Sequence, residues 1–440
     1  MRDYLVLAAV FAALPFCFYR PYIGVLCWVW LGLMNPHRLA WGVAYDFPVA
    51  ALVGGATLAG LAFALVRREI LPIPKTRETW LLGLFWIVVT FTTVVAFDSR
   101  IAWEHWMTWS KTLLISVVAL VLFQDATKLR YLILVMAASI GLFGVKGGLF
   151  GIATAGQYIV FGPPESFIAD NNALALAELM VLPLLFYLGK VEERRWWRVG
   201  FYAMGALTML SILLSYSRGA LLGLIAMSGL LALNSSRKLL AGLLLAIGAL
   251  AALAFVPDRW YERMSTITTY QEDPSAMSRI NGWIFAYRLA WDYPFTGGGF
   301  GAFNKDLFAR YAPMPDVVYN GHSIYFQVLG EHGFLGLGVF VALLISAFLS
   351  LERIKKTVVY VEGLDWAYEY AKMLQLALTA FAISGAFLPL AYFDLYYYLI
   401  VVVILLKVVV RSELQAGMEE DAEEPVAEPR SYEVAGVGSR

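Results

Sequence analysis

Three features of the 440-residue chain predict an all-α polytopic membrane protein. Hydrophobic residues make up 60% and charged residues only 15%, a balance outside that of soluble domains. Apolar runs recur along nearly the whole length, and one long polar stretch, residues 257–321, interrupts them. Each crossing needs roughly 20 apolar residues to span about 30 Å of hydrocarbon. That criterion places spans at 44–66, 79–97, 110–124, 129–150, 171–188, 197–216, 218–235, 238–256, 322–350, 368–390 and 393–411. Residues 4–34 are split by Arg20-Pro21 into two short runs, which form one broken crossing or a tight hairpin. The broken crossing is preferred and brings the total to about 12.

The chain then divides into N-terminal spans (1–256), one large loop carrying short helices (257–321), C-terminal spans (322–411) and an acidic tail (412–440) expected to be disordered. Basic residues set the orientation. Arg67, Arg68, Lys75 and Arg77; Lys128 and Arg130; Lys190, Arg194, Arg195 and Arg198; Arg237 and Lys238; and Arg353, Lys355 and Lys356 fall in alternate connections, which the positive-inside rule puts in the cytoplasm. Residues 98–109, 151–170, the turn at Ser215–Arg218, the loop 257–321 and the corner near Asp394 are then outside. Cys17 and Cys27 both lie in apolar sequence, so no disulfide framework or cysteine metal site is argued. The formal net charge is zero, and nothing suggests nucleic acid as a partner. No small-residue cleavage site follows the first apolar run, so no cleavable signal peptide is expected.

Within the large loop, Asp273-Pro274-Ser275 reads as a helix start and Ala276–Asp292 as a helix that stops before Pro294. Arg279, Trp283, Tyr287 and Trp291 repeat every four residues along one face. That pattern describes an aromatic stripe resting on a bilayer, or, with Arg279 in the first turn, a place for a bound anion. The run Gly297-Gly298-Gly299-Phe300-Gly301 lacks the setting of a nucleotide loop and is expected to form a compact turn that lets backbone approach substrate or membrane. Arg218 sits in a tight turn between two spans, where it either snorkels to headgroups or meets an anionic substrate. His322 follows Asn320-Gly321 and either caps a helix or presents an imidazole at the outer face. His37, Arg38, Arg288 and Asp394, all outside in this topology, are further candidates to bind an acceptor or orient His322. Lys146 and Glu178 are expected to form a structural ion pair. No Asp-x-Asp pair stands in an outer loop, so neither metal nor cofactor is expected.

The order Ser217-Arg218-Gly219, Ser278-Arg279 with Trp283, Pro294-Phe295-Thr296 before the glycine run, and His322-Ser323 through Gly330-Glu331-His332-Gly333-Phe334-Leu335-Gly336 resembles the bacterial O-antigen ligase and polymerase superfamily. The resemblance covers about residues 197–350 by motif and most of the chain by topology. Around Gly32-Leu33-Met34-Asn35-Pro36-His37 it is similar to the O-ligase branch associated with exosortase-type systems.

The resemblance implies a metal-independent, inverting, GT-C-like glycosyltransferase of the bacterial inner membrane. Its donor would be a glycan on undecaprenyl diphosphate and its acceptor a hydroxyl of lipid A–core on the periplasmic side. Arg218 and Arg279 would then hold the diphosphate and His322 would activate the acceptor. Guanidinium groups suit a leaving diphosphate, and a neutral imidazole suits a hydroxyl that must lose its proton. An O-antigen polymerase or a protein O-oligosaccharyltransferase would share the donor chemistry. A lipid-linked glycan transporter is the alternative of another class, but it would place polar groups at mid-bilayer.

Overall fold

The computed structural model describes residues 2–40, 42–67, 70–235, 238 and 274–423. Arg68, Arg237, the expected span at 238–256 beyond Lys238, the loop start 257–273 and the tail 424–440 lie outside the described residues. Every regular element among the described residues is helical. In chain order, those of seven residues or more are α1 (Arg2–Tyr19), α2 (Pro21–Met34), α3 (Val49–Val66), α4 (Arg77–Val94), α5 (Ser99–Leu122), α6 (Ala126–Ala153) and α7 (Asn171–Val191). There follow α8 (Arg195–Leu214), α9 (Arg218–Leu233), α10 (Pro274–Asp292), α11 (Lys305–Tyr311), α12 (Ile324–Val358), α13 (Asp365–Ser384) and α14 (Asp394–Glu423). Among the described residues, eight of them (α3, α5 to α8 and α12 to α14) are long and apolar enough to cross a membrane. With α1, α2 and α9 as shorter apolar helices, the chain is a multi-pass membrane protein.

Helix starts follow capping chemistry. Asp98, Asp125, Asp170, Ser217 and Ser323 each accept backbone N–H bonds from the turn they precede, satisfying donors that a helix cannot pair itself. Capping by Asp98 starts α5 at Ser99, so residues 99–109, expected as a connection, are helix. Similarly, α14 runs on to Glu423. Residues 412–423, expected to be disordered, are therefore helical, as suits their Glu, Gln, Leu and Met content.

Residues 4–34 differ from the preferred reading. Val10, Cys17, Leu31, Val49 and Val53 form one cluster, and the Cys17 and Cys27 thiols are near enough to act on each other. Ten residues along one continuous helix would separate those sulfurs by about 15 Å. The Asp3 carboxylate accepts from Gly42 N–H at 2.8 Å, while Phe18 stacks on Phe63 at 5.9 Å, so α1 lies parallel to α3. Gly24 meets Thr57 and Gly54 meets Trp28, so α2 returns antiparallel. The two helices form a hairpin turned at Arg20-Pro21.

The core is centred on α7 and α14, whose most apolar stretches are 83% and 78% buried. Against α7, α6 and α8 close through small residues. A Cβ at Gly141 would stand 2.7 Å from the Met204 sulfur, and Gly144, Gly147 and Gly148 face Thr208, Ser211 and the Leu207 carbonyl, the close-approach seam usual in membranes. The expected Lys146–Glu178 pair is absent. Lys146 is exposed, while Glu178 is fully buried and accepts from Ser211 Oγ at 2.9 Å. Outside the bundle, residues 274–321 carry their own core of Phe285, Ala286, Leu289, Leu307 and Phe308, with the Phe285 and Phe308 rings stacked at 4.1 Å.

Helix α12 is broken at Gly333 (φ 65°, ψ −169°). A break frees the carbonyls of Gly330 and Glu331 and the N–H groups of Phe334 and Leu335, which apolar surroundings would leave unpaired. The glycine run supplies the missing partners: Gly298 N–H donates to Gly330 O at 2.9 Å and Gly299 N–H to Glu331 O at 2.8 Å. Pro294 O accepts from Phe334 and Leu335. The run is the compact turn that its composition led us to expect, and it brings its backbone against another helix. Gly297 and Gly299 sit at φ 54° and 76°, where a side chain is strained.

Candidate functional site

The turn between α8 and α9 is built from the inside. Asn171 donates to Ser215 O at 2.7 Å, and Tyr216, buried at φ 58°, donates its hydroxyl to Gly156 O at 2.7 Å. Ser384 Oγ bonds Gly219 O at 2.9 Å. These contacts place Arg218, half-buried, in a small cavity of about 20 Å³ together with Asn172, Ser217, Phe387 and Arg279. The two arginines, 61 residues apart in sequence, thus share one site.

Arg279 reaches it from α10. The helix begins at Pro274, so Arg279 lies in its second turn, and the first-turn anion argument does not apply. Asn281 and Trp283 hold this part of α10 down. Asn281 Nδ2 donates to Met314 O and Val317 O at 3.0 Å. Trp283 donates to Gly321 O at 2.9 Å and stacks on Phe326 at 5.2 Å. Trp283 is therefore a packing residue, whereas Tyr287 and Trp291, farther along the same face, remain 49% and 68% exposed.

His322 does not line this cavity, but it is near enough to Arg279 for that charge to act on its imidazole. Its backbone is left-handed, φ 38°, and Ser323, not His322, caps α12. The imidazole is left for other work. Burial holds its pKa below the ordinary histidine value; the charge of Arg279 acts in the same direction and that of Asp170 opposes it. The imidazole therefore feels a cation and a carboxylate with opposite effects. Asp170, which also caps α7, escaped sequence reasoning because the run Asp170-Asn171-Asn172 before an apolar stretch reads as a cap and nothing more.

A second cavity, about 450 Å³, opens beside Asn320 and Gly321 and is lined by His105, Phe300, Glu331, Tyr392 and Asp394. Here Asp394 accepts from Thr112 Oγ1 at 2.8 Å; the carboxylate acting on His322 is Asp170. His105 stacks on Phe300 at 5.9 Å. At the cavity wall Tyr392 OH lies 2.6 Å from Glu331 Oε2 and 2.8 Å from His332 Nε2, and His332 Nδ1 lies 2.7 Å from Thr92 Oγ1. Tyr392 has one proton, so it donates to one neighbour and accepts from the other.

The other candidates stand apart. Arg288 donates to Tyr311 O at 3.2 Å on the exposed side of α10. Arg38 pairs with Glu165 at 3.2 Å and covers the Tyr45 ring at 4.5 Å. His37 is half-buried, and burial, with Arg38 beside it, lowers its pKa. None of these three lines either cavity.

No curated protein matches the chain. Residues 1–193 match a family of unknown function, DUF5935. Residues 202–341 match the O-antigen ligase family, a stretch that contains Arg218, Arg279 and His322 and supports the O-antigen ligase and polymerase superfamily for this part of the chain.

Proposed function

We propose that the protein is an O-antigen ligase. It transfers O-antigen glycan from undecaprenyl diphosphate to a hydroxyl of lipid A–core, at the periplasmic side of the bacterial inner membrane, without metal and with inversion. The observation that carries this reading is that Arg218 and Arg279 line one cavity while Arg279 also acts on the His322 imidazole. The family match over 202–341 supports the reaction class, and the alternation of basic connections supports the side of the membrane.

In the reaction, a neutral His322 accepts the acceptor hydroxyl proton as that oxygen attacks the anomeric carbon. The bond from the anomeric carbon to the diphosphate oxygen breaks, and its electron pair leaves with undecaprenyl diphosphate. Arg218 and Arg279 stabilise the charge that develops there. As it stands, the cavity between them holds about one water, so a diphosphate enters only as the walls move apart.

The test is the lipopolysaccharide of a deletion strain complemented with wild-type, Arg218→Ala or Arg279→Ala protein. Wild type should restore O-antigen on lipid A–core, and each alanine variant should lose about 10²- to 10³-fold in transfer, the effect of removing one preorganised donor from a developing anion. Lipid-linked polymer should accumulate. Accumulation of single repeats would instead identify a polymerase, and properly inserted alanine variants with near-normal ligation would return both arginines to headgroup contacts.

A further inference from the structure

At the end of the bundle opposite His322, two cavities meet. Serines 346 and 350 of α12, more than three turns beyond the Gly333 break, bond the buried Glu78 at 2.6 and 2.7 Å, which fixes this end of α4 far from the glycine run. The first cavity, about 660 Å³, is lined by Lys75, Arg77, Lys407 and Arg411. Lys407 pairs with Glu78 at 2.6 Å, and Arg77 Nε donates to Ser346 Oγ at 2.9 Å. Four cations less one carboxylate leave three positive charges, and no Asp or Glu is among its lining residues. The second cavity, about 490 Å³, is an apolar groove between α4 and α5, lined by Trp80, Leu82, Trp86, Leu113 and Val117. Ile73, Pro74 and Lys75 form a wall common to both, held in place where the Gln124 amide donates to Pro72 O at 2.9 Å.

We propose that this pair of cavities is a binding site for an anionic phospholipid, its phosphate among Lys75, Arg77 and Arg411 and one acyl chain along the α4–α5 groove. Charge complementarity and continuity select this occupant. A zwitterionic lipid fills the groove but brings its own cation to the basic cavity, and a free phosphate fills the basic cavity but leaves the groove unused. Basic pockets between spanning helices on the positive side hold anionic headgroups in this way. The site is independent of the transfer reaction proposed above.

Delipidated full-length protein in detergent can be titrated with phosphatidylglycerol, phosphatidylcholine or inorganic phosphate, with bound lipid counted by native mass spectrometry. Wild type should retain phosphatidylglycerol over phosphatidylcholine. Lys75 and Arg411 are exposed, so Lys75→Gln/Arg411→Gln should fold normally and bind phosphatidylglycerol roughly 30-fold more weakly, about fivefold per cation removed. Gly83 lines the groove, and a Cβ there meets nothing within 4 Å. Gly83→Phe should therefore fill the groove and weaken retention with every cation in place. Equal affinity for the two lipids, an unaffected double variant, or displacement of the lipid by an equal concentration of inorganic phosphate would overturn the proposal.

Discussion

His322 works as a base only while neutral, and its surroundings favour that state. Burial and Arg279 hold its pKa below the ordinary 6.5, so the imidazole is unprotonated at neutral pH. Transfer should fall as pH drops through that pKa, and the fall should lie below pH 6.5. Asp170 pulls the value up, so Asp170→Asn, which keeps the capping oxygen, should move the acid limb of the pH–rate profile to lower pH. His322→Ala should still bind donor and lose about 10²- to 10⁴-fold in rate. A profile that does not move in Asp170→Asn, or a His322→Ala enzyme of wild-type rate, would remove the general-base role. At this scale the sequence was partly legible. Arg218 and His322 stood out as polar residues at the edges of apolar runs and Arg279 at the head of a helix in the polar stretch, and the fold brings the two arginines into one cavity. Asp170 stayed hidden because its partner lies 152 residues away, and Arg279 was set in the first turn because Pro274 and Ser275, read as the lead-in, belong to the helix.

The broken helix α12 shows what an element can conceal. The sequence marks a Glu-x-Gly-x-x-Gly pattern and a glycine run as two separate features, yet they are one construction. The run clasps the break by donating backbone hydrogen bonds to it, and the break leaves Glu331 on the wall of the cavity of about 450 Å³. Composition could not show this, since the demand for glycine comes from a helix 32 residues farther on, as Gly298 to Gly330. A Cβ at Gly297 would stand 2.6 Å from Gly330 O, with φ at 54°. Gly297→Ala should therefore destabilise by at least about 1–2 kcal/mol, the ordinary penalty for a side chain in left-handed backbone, with a visible drop in melting temperature. Gly338→Ala serves as the control on the same helix. Its Cβ meets nothing within 4 Å, and a regular helix position favours alanine. Equal melting of the two variants would mean that the clasp contributes nothing.

For the whole molecule, the hairpin of α1 and α2 changes the sidedness of one end only. A single broken crossing puts Arg2 and His37 on opposite faces; a hairpin puts them on the same face and sends Arg20 to the other. That arrangement agrees with the charges. Arg20 joins the end where Lys128 covers the Tyr22 ring at 5.6 Å and Arg67 covers Phe63 at 4.4 Å, so the basic residues gather at one face as the positive-inside rule requires. Apolar periodicity located most spans to within a few residues, because a bilayer imposes length and polarity directly. It could not choose between a bend and a reversal at Arg20-Pro21, which depends on packing against α3. Cysteine probes decide both points in a background with Cys17 and Cys27 replaced. Tyr4, Asp316 and Glu362 are exposed and serve as positions. In intact spheroplasts a membrane-impermeant maleimide should label Tyr4→Cys and Asp316→Cys, and should reach Glu362→Cys only after permeabilisation. Labelling of Glu362→Cys with Asp316→Cys protected would invert the orientation and with it the periplasmic site. Protection of Tyr4→Cys alone would leave the site outside but restore the single broken crossing.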